Sequence, residues 1–448
     1  MWAGGGLITV DVNNRSQESP RRRATDAHGR VLKFPRPSPP PRPPQTDSGW
    51  STLWHIGPGV VTGASNLDPS AVVTATVVGA SFGYSLLWVV ILCIPFLLNL
   101  FSVTARIGVE TGQGVLDLLR ESYGQRSAII AACLSIAVNA AVVIADLMAV
   151  SDVLSVLTGQ PRMLFVAATA FSVWYILVFH DYRRITRVLV LVSLPLYVYV
   201  AAAIVTAPPV RLLLWNTFVP HFQNPAHVVE GIVALFGSFL TPYIVLWQTS
   251  SRSEPQHQAN KGDSRAATLV TFVLAYSVIV AAGSVLHLAA PVDMTTRQAA
   301  EALRPVVGNL GPVLFSLGII GSGMVALPVL VASMCYDLAQ AIGWKYGLSE
   351  DPWEAKGFYV LISATMIIAT LANYTPINPV RALYFAMILA GVLTVPIFWF
   401  ILIISNDRRI MRTTNTMWQN FWIGAAAGGS GAATLALIWV SVLHRGLP

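Results

Sequence analysis

The sequence predicts an all-α polytopic membrane protein of about eleven transmembrane helices, built as two inverted blocks of five spans plus one extra helix. Three observations carry that expectation. The chain is 54% hydrophobic and only 11% charged, with mean hydropathy +0.62, against roughly a quarter charged residues in an ordinary soluble domain. Apolar runs long enough to cross a bilayer recur at 56–79, 84–105, 127–157, 161–179, 185–206, 227–250, 264–290, 310–342, 356–373, 380–404 and 420–443. Helix-breaking residues then interrupt the first and the sixth of these runs near their middles.

The first 50 residues are a different material, rich in proline and arginine (RRRATDAHGR, PRPSPPPRPPQ) and without apolar periodicity. They are expected to be a disordered cytoplasmic tail, with the transmembrane region filling 51–448. Two readings of the tail stay open, a nonfunctional extension and weak attraction to anionic lipid. The apolar run starts too far from the basic stretch for a secretory signal.

Lys and Arg favour cytoplasmic loops. One alternate set of loops holds Arg106, Arg120 and Arg126, then Arg183, Arg184 and Arg187, then Arg252, Lys261 and Arg265, then Lys345 and Lys356, then Arg408, Arg409 and Arg412. The other set is much poorer, which predicts the amino terminus inside and, with eleven spans, the carboxyl terminus outside. The net charge of +7 therefore reads as a topology signal, and no nucleic-acid partner is expected.

Chemistry-bearing motifs are few. Cys93, Cys133 and Cys335 lie within predicted spans without metal-ligand spacing, so all three are expected to be buried, small and apolar. His287 is the one intramembrane histidine and reads as a packed polar contact. No phosphate loop, nucleophile elbow or zinc motif appears, so neither an enzyme nor an ATPase is expected, and no cofactor.

The breaks are informative. Span one reads ASNLDPSAVV, with Asp68 and Pro69 together; span six reads FGSFLTPYIVLWQT, with Thr241 before Pro242. A central aspartate costs about 2.5–3.5 kcal/mol on insertion scales, and an interior proline removes a backbone bond. Freed backbone groups survive in hydrocarbon only where protein or a water-filled cavity satisfies them. Each break opens a five-span block, 56–206 and 227–404, and an odd span count inverts one block against the other. Paired interruptions in inverted repeats point to a midplane site. Asp68 supplies negative charge and the unwound backbone supplies carbonyl oxygens, so a cation site is expected there.

Span three places Asn139 and Asp146 seven residues apart on one face. An intramembrane carboxylate there reads as a proton relay or second cation contact, with a structural hydrogen bond as the alternative. Asp152 is expected to be solvated at the interface. Asp337 and Glu110 are placed near cytoplasmic ends as caps or exit-lining groups. Gly321-Ser322-Gly323 reads as a close-packing element.

These residues resemble the NRAMP family of divalent metal transporters over most of 55–443. The resemblance rests on GPGVVTGASNLDPSAVVTATVVGASFGYSLLW and ARIGVETGQGVLDLLRESYG. HDYRRITRV, TPYIVLWQTS, INPVRALY and NDRRIM resemble a branch related to NRAMP-type magnesium transporters more closely. The resemblance implies a LeuT-like inverted-repeat fold holding metal between helices one and six.

The departures bear on substrate. Where the family reads Asp-Pro-Gly-Asn, this chain has Asp68, Pro69, Ser70 and Ala71. The family's metal-binding methionine falls on Thr241, its later histidine on Tyr243, and its acidic partner to the third-helix aspartate on Ala149. The family's upstream carbonyl would belong to Ser238. The implied metal ligands are thus Asp68, Ser238 and Thr241, with Asn66, Ser70, Tyr243 and Gln248 around them or around ion-held water, and Pro69 and Pro242 holding the breaks open.

An all-oxygen site favours hard ions, and few direct ligands suit magnesium, which keeps several waters. Manganese shares that chemistry, and aluminium is a further candidate because NRAMP relatives that carry it resemble this chain in having threonine there. The expected function is secondary transport of divalent cations, weakly or not proton-coupled, in a bacterial inner membrane, with the cation as substrate and the bilayer as surroundings. The alternatives are an ordinary proton-coupled manganese or iron symporter and an organic-substrate symporter on the same fold.

Overall fold

The computed structural model describes residues 67–179, 194–206, 208–220, 225–253, 261–286, 291–348 and 353–445. The expected tail, Asn66, the first half of span one, the start of span five and His287 lie outside them. The described secondary structure is helical. In chain order the helices are α1 (Pro69–Phe82), α2 (Leu87–Thr111), α3 (Val115–Tyr123), α4 (Gln125–Thr158), α5 (Arg162–Phe179), α6 (Val198–Val205), α7 (Val210–Phe218), α8 (Pro225–Phe239), α9 (Pro242–Ser253), α10 (Lys261–Val285), α11 (Gly311–Ile342), α12 (Lys356–Ala372), α13 (Pro379–Leu393), α14 (Val395–Asn406) and α15 (Met417–Arg445). Four short helical turns fill the stretch between α10 and α11, apart from a 3-10 turn at Pro291–Asp293.

Each of the eleven expected spans contains helix among the described residues. Among the described residues six helical stretches are long and apolar enough to cross a membrane, and three shorter apolar helices include Pro69–Phe82 and Val228–Phe239, the two that flank the breaks. α13 and α14 are together apolar and long enough to cross a membrane and meet at a 40° bend at Thr394. Asn378 starts α13 by accepting from the Val380 and Arg381 amides at 2.8 and 3.3 Å, with Pro379 at the first helical position. A side-chain acceptor there satisfies amides that the first turn leaves free, and proline lacks the amide that would be unpaired anyway.

The centre of the bundle is α4 packed along α11, with α13 also against α4, α10 against α1, α8 against α13 and α9 against α2. α4 and α11 are nearly all apolar, and no hydrophobic effect sorts such helices in hydrocarbon. Small residues and interhelical polar contacts do so instead. The closest approach joins α8 to α13: a Cβ on Gly237 would lie 1.8 Å from the Met387 carbonyl oxygen, and one on Gly391 would lie 2.3 Å from that of Val233. Only glycine fits at either position, so the segment leading into the sixth-span break is clamped backbone to backbone. Large apolar residues such as Phe171, Phe179, Ile368 and Leu435 stand exposed on the outside, where hydrocarbon would cover them.

Two features differ from expectation. Cys93 and Cys335 are buried, but Cys133 is exposed: it lies on the same exposed face of α4 as Ile130 and Ala137, which hydropathy alone does not distinguish from the packed face. The short helix α3 joins spans two and three, and its buried face Val115–Leu119 packs on α4 and α11. Arg120 donates to the Gln340 carbonyl at 2.6 Å and pairs with Asp117 at 3.3 Å, while Tyr346 donates to Asp117.

Candidate metal centre between two helix breaks

Pro69 begins α1 and Pro242 begins α9. Because proline carries no amide hydrogen, Pro242 cannot donate to the residue four positions earlier, and that residue is Ser238. Its carbonyl is among those the break releases. The helix ends in a bend at Leu240, whose amide still donates to the Phe236 carbonyl at 2.8 Å, and helix resumes after Thr241.

Asp68 caps α1. Its backbone is extended (φ −64°, ψ 166°), its Oδ1 accepts from the Ala71 amide at 2.7 Å, and its carbonyl accepts from the Val72 amide at 3.1 Å. A carboxylate at this point meets both the unpaired first-turn amides and the positive end of the helix dipole. These contacts offset part of the cost of burying the charge. Oδ2 accepts from the Tyr243 hydroxyl at 3.0 Å. That bond joins the two breaks directly, from the cap of one resumed helix to the first turn of the other.

Ser70, next along α1, links Asp68 to the centre of the bundle. Its amide donates to Asp146 Oδ1 at 3.1 Å, and its hydroxyl donates to the same oxygen. The second oxygen of Asp146, Oδ2, has no hydrogen-bond partner among the described residues. Asp68, Ser70, Asp146, Ser238, Thr241 and Tyr243 are all buried. The Thr241 hydroxyl lies near the Tyr243 phenol yet makes no hydrogen bond of ordinary geometry. No described ion pair involves either aspartate. The arrangement offers carboxylate, hydroxyl and carbonyl oxygens, with no sulfur or imidazole among these residues. Two buried carboxylates, Asp68 and the Asp146 that Ser70 bonds, without a basic partner among the described residues, attract a cation strongly in a low-dielectric interior.

Gly323, from the Gly321-Ser322-Gly323 run, holds these parts together. A Cβ there would lie 2.4 Å from Val150 Cγ2 and 3.1 Å from Pro69 Cγ. The glycine lets α11 approach both the break at Pro69 and α4 one turn beyond Asp146, which is the close-packing role expected of the run.

The expected residues divide. Asp68 bonds Tyr243 and the nearby Ser70 bonds Asp146, with Ser238 and Thr241 at the adjoining break. Gln248 lies on α9 with its side chain outside the described residues. Asn139 shares a face of α4 with Asp146 but donates instead to Ser135 Oγ at 3.2 Å, a contact that leads away from Asp68. Asp152 is not simply solvated; it accepts from the Thr296 hydroxyl, because the segment after α10 folds over that end of α4. Glu110 accepts from the Arg412 and Thr413 amides at 3.0 and 3.2 Å. The Ser70 contact with Asp146 crosses 76 residues, and no local pattern announces it.

The fold is shared with a crystal structure of the Eremococcus coleocola manganese transporter in complex with an aromatic bis-isothiourea substituted compound, at TM-score 0.68 and 16% identity over 90% of this chain and 93% of that one. It is also shared with MhsT in complex with L-phenylalanine, at TM-score 0.59 and 13% identity over 86% and 98%. These neighbours place the architecture in the LeuT-like inverted-repeat class. Among curated relatives, the metal transporter NRAT1 of Oryza sativa subsp. japonica is 28% identical over 299 residues, 60% of this chain and 54% of that protein. The divalent metal cation transporter MntH of Deinococcus radiodurans is 25% identical over 292 residues, 61% and 65%. The aligned stretch thus spans between about half and two thirds of these relatives' length. The model of the Nramp family, natural resistance-associated macrophage protein-like, matches residues 59–440, a stretch that includes both breaks and all the residues gathered around them, and the chain belongs to that family.

Proposed function

We propose that this chain is a secondary transporter of hard divalent cations, magnesium and manganese, bound between the two breaks and released by alternating access. The observation that carries the reading is the Asp68–Tyr243 hydrogen bond at 3.0 Å, which brings the two breaks into one all-oxygen site. Relatives named as metal transporters, and a fold neighbour named as a manganese transporter, support divalent metal as the substrate class. The choice among metals follows from donor chemistry. Hydroxyl, carboxylate and carbonyl oxygens suit hard ions, and thioether or thiolate ligands suit soft ones. In this reading Asp68, Ser238 and Thr241 are the direct ligands, and the ion keeps much of its water.

Weak proton coupling follows from the residues at the positions where the resemblance expects a histidine and a second carboxylate, which here are Tyr243 and Ala149. The driving force is then the membrane potential: a dication moving inward through 100 mV gains about 4.6 kcal/mol. With the amino terminus cytoplasmic and a bacterial inner membrane as the location, that field points inward. Asp146 favours the competing reading, proton-coupled manganese symport, because a carboxylate bonded to Ser70 is well placed to exchange a proton when the ion binds.

The test is magnesium influx into proteoliposomes, read by an internal magnesium dye, with Asp68→Ala beside the wild type. Potential-driven influx that vanishes in the variant is expected. Influx unaffected by Asp68→Ala would move the site elsewhere. Lumenal acidification in step with flux, abolished in Asp146→Asn, would replace the uncoupled reading with the symport one.

A further inference from the structure

A second oxygen cluster lies between α4 and α11, nearer to α3 than the Asp68 site. Asn139 is two turns of α4 from Asp146, about 10 Å along the helix, and Ser135 lies one turn further. From α11, Asp337 reaches the same interface: Ser135 Oγ donates to Asp337 Oδ2 at 2.5 Å, and Asn139 Nδ2 donates to Ser135 Oγ at 3.2 Å. Ser333 stands one turn before Asp337 on the same face of α11.

All four residues are at most 1% exposed. Asp337 Oδ1, Asn139 Oδ1 and Ser333 Oγ have no hydrogen-bond partner among the described residues. No described ion pair involves Asp337. The Ser135 proton is committed to one carboxylate oxygen and one Asn139 amide proton to Ser135, and neither reaches the remaining oxygens of Asp337 and Asn139. A buried carboxylate keeps its charge only when hydrogen-bonded, paired or bound to a cation, and otherwise takes up a proton. Here the unmet groups are a carboxylate oxygen, an amide carbonyl and a hydroxyl, the donor set of a hard cation that retains water.

We propose that Asp337, Asn139, Ser135 and Ser333 form a second divalent-cation site, on the route from the Asp68 site toward the α3 end of the bundle. It rests on the transport reading for the identity of the ion, and on its own geometry for its existence. The site would hold an ion after it leaves Asp68 and lower the barrier to crossing the rest of the α4–α11 interface. One Asp charge and neutral oxygens bind weakly enough to let the ion go onward, as passage through sites in series requires.

The test counts bound ions. The full chain in lipid nanodiscs is titrated with Mn²⁺ alone, free ion being read by its electron paramagnetic resonance signal. Wild type is expected to bind two ions per chain, Asp68→Ala one, Asp337→Asn one, and the double variant none. In an Asp68→Ala background, Asn139→Ala should weaken the remaining site ~10-fold without changing the charge. That pair decides the matter if Asp337→Asn does not fold. A single wild-type ion that Asp68→Ala removes and Asp337→Asn retains would overturn this proposal alone, with a proton on Asp337 then satisfying Asn139. Two ions, of which Asp337→Asn removes one and Asp68→Ala removes none, would overturn the Asp68 reading and leave this one standing.

Discussion

Asp68 holds two roles that one substitution can separate. Oδ1 caps α1 through the Ala71 amide at 2.7 Å, while Oδ2 faces the other break through Tyr243 at 3.0 Å. Asp68→Asn would keep an oxygen for the cap, since asparagine is as good a cap as aspartate, but would bring no charge to the ion. Removing one partner of a buried charged contact costs about 2–5 kcal/mol, which is roughly 30-fold to several thousand-fold in affinity. Asp146 limits the loss, because it remains nearby through Ser70. Asp68→Ala loses the same charge and also the cap, a further ~0.5–2 kcal/mol of folding stability. Magnesium affinity by calorimetry and thermal unfolding without metal are therefore expected to give different rankings: both variants bind poorly, and only Asp68→Ala unfolds earlier. Near wild-type magnesium affinity in Asp68→Asn would refute the reasoning, because the carboxylate charge would then not contribute to the site.

Three further outcomes follow. Thr241→Met places a thioether at the second break, and competition uptake should shift toward cadmium over magnesium by ~10-fold, about 1.4 kcal/mol; an unchanged ranking would show that this side chain does not face the ion. Gly323→Ala forces Val150 and Pro69 aside and should cost about 1–3 kcal/mol of stability together with reduced flux, checked by unfolding in detergent and by dye influx. In α3, the Asp117 carboxyl is held above its ordinary value of 3.8, chiefly by burial, against the lowering effects of Tyr346 and Arg120. A raised value in the folded state means stability from this group is fully present below its unfolded value and is lost as pH climbs through the folded one. Asp117→Asn should therefore gain on the wild type in melting temperature as pH rises above the ordinary value of 3.8, and a gap that does not change with pH would count against it.

Much of the candidate site was legible because intramembrane cost is local and one-dimensional. Asp68, Pro69, Thr241 and Pro242 stand out in apolar runs that have no other reason to carry them, and their matched positions in two blocks suggested one shared site. Ser238 follows from Pro242 by counting back one helical turn. Ser70 and Tyr243 were harder to rank, because a serine beside a cap and a tyrosine inside a helix are ordinary there until their partners are known. Asn139 was read with Asp146, seven residues along the same face, yet its bond runs to Ser135, because the distant Asp337 draws Ser135 and Asn139 into a separate group.

The sequence by itself determined the class, the spans and the breaks, since hydropathy, helix-breaking and charge bias act within a few neighbouring residues and leave their mark in order along the chain. Only the tertiary structure decided which oxygens meet. The Ser70–Asp146 and Ser135–Asp337 contacts cross 76 and 202 residues and depend on how α1 and α11 are set against α4. Close approach at Gly323 sets α11 against Val150 of α4 and against Pro69. A helix face has only a period, which says what can share a surface, whereas a binding site needs a distance, and distance arises when separate helices pack.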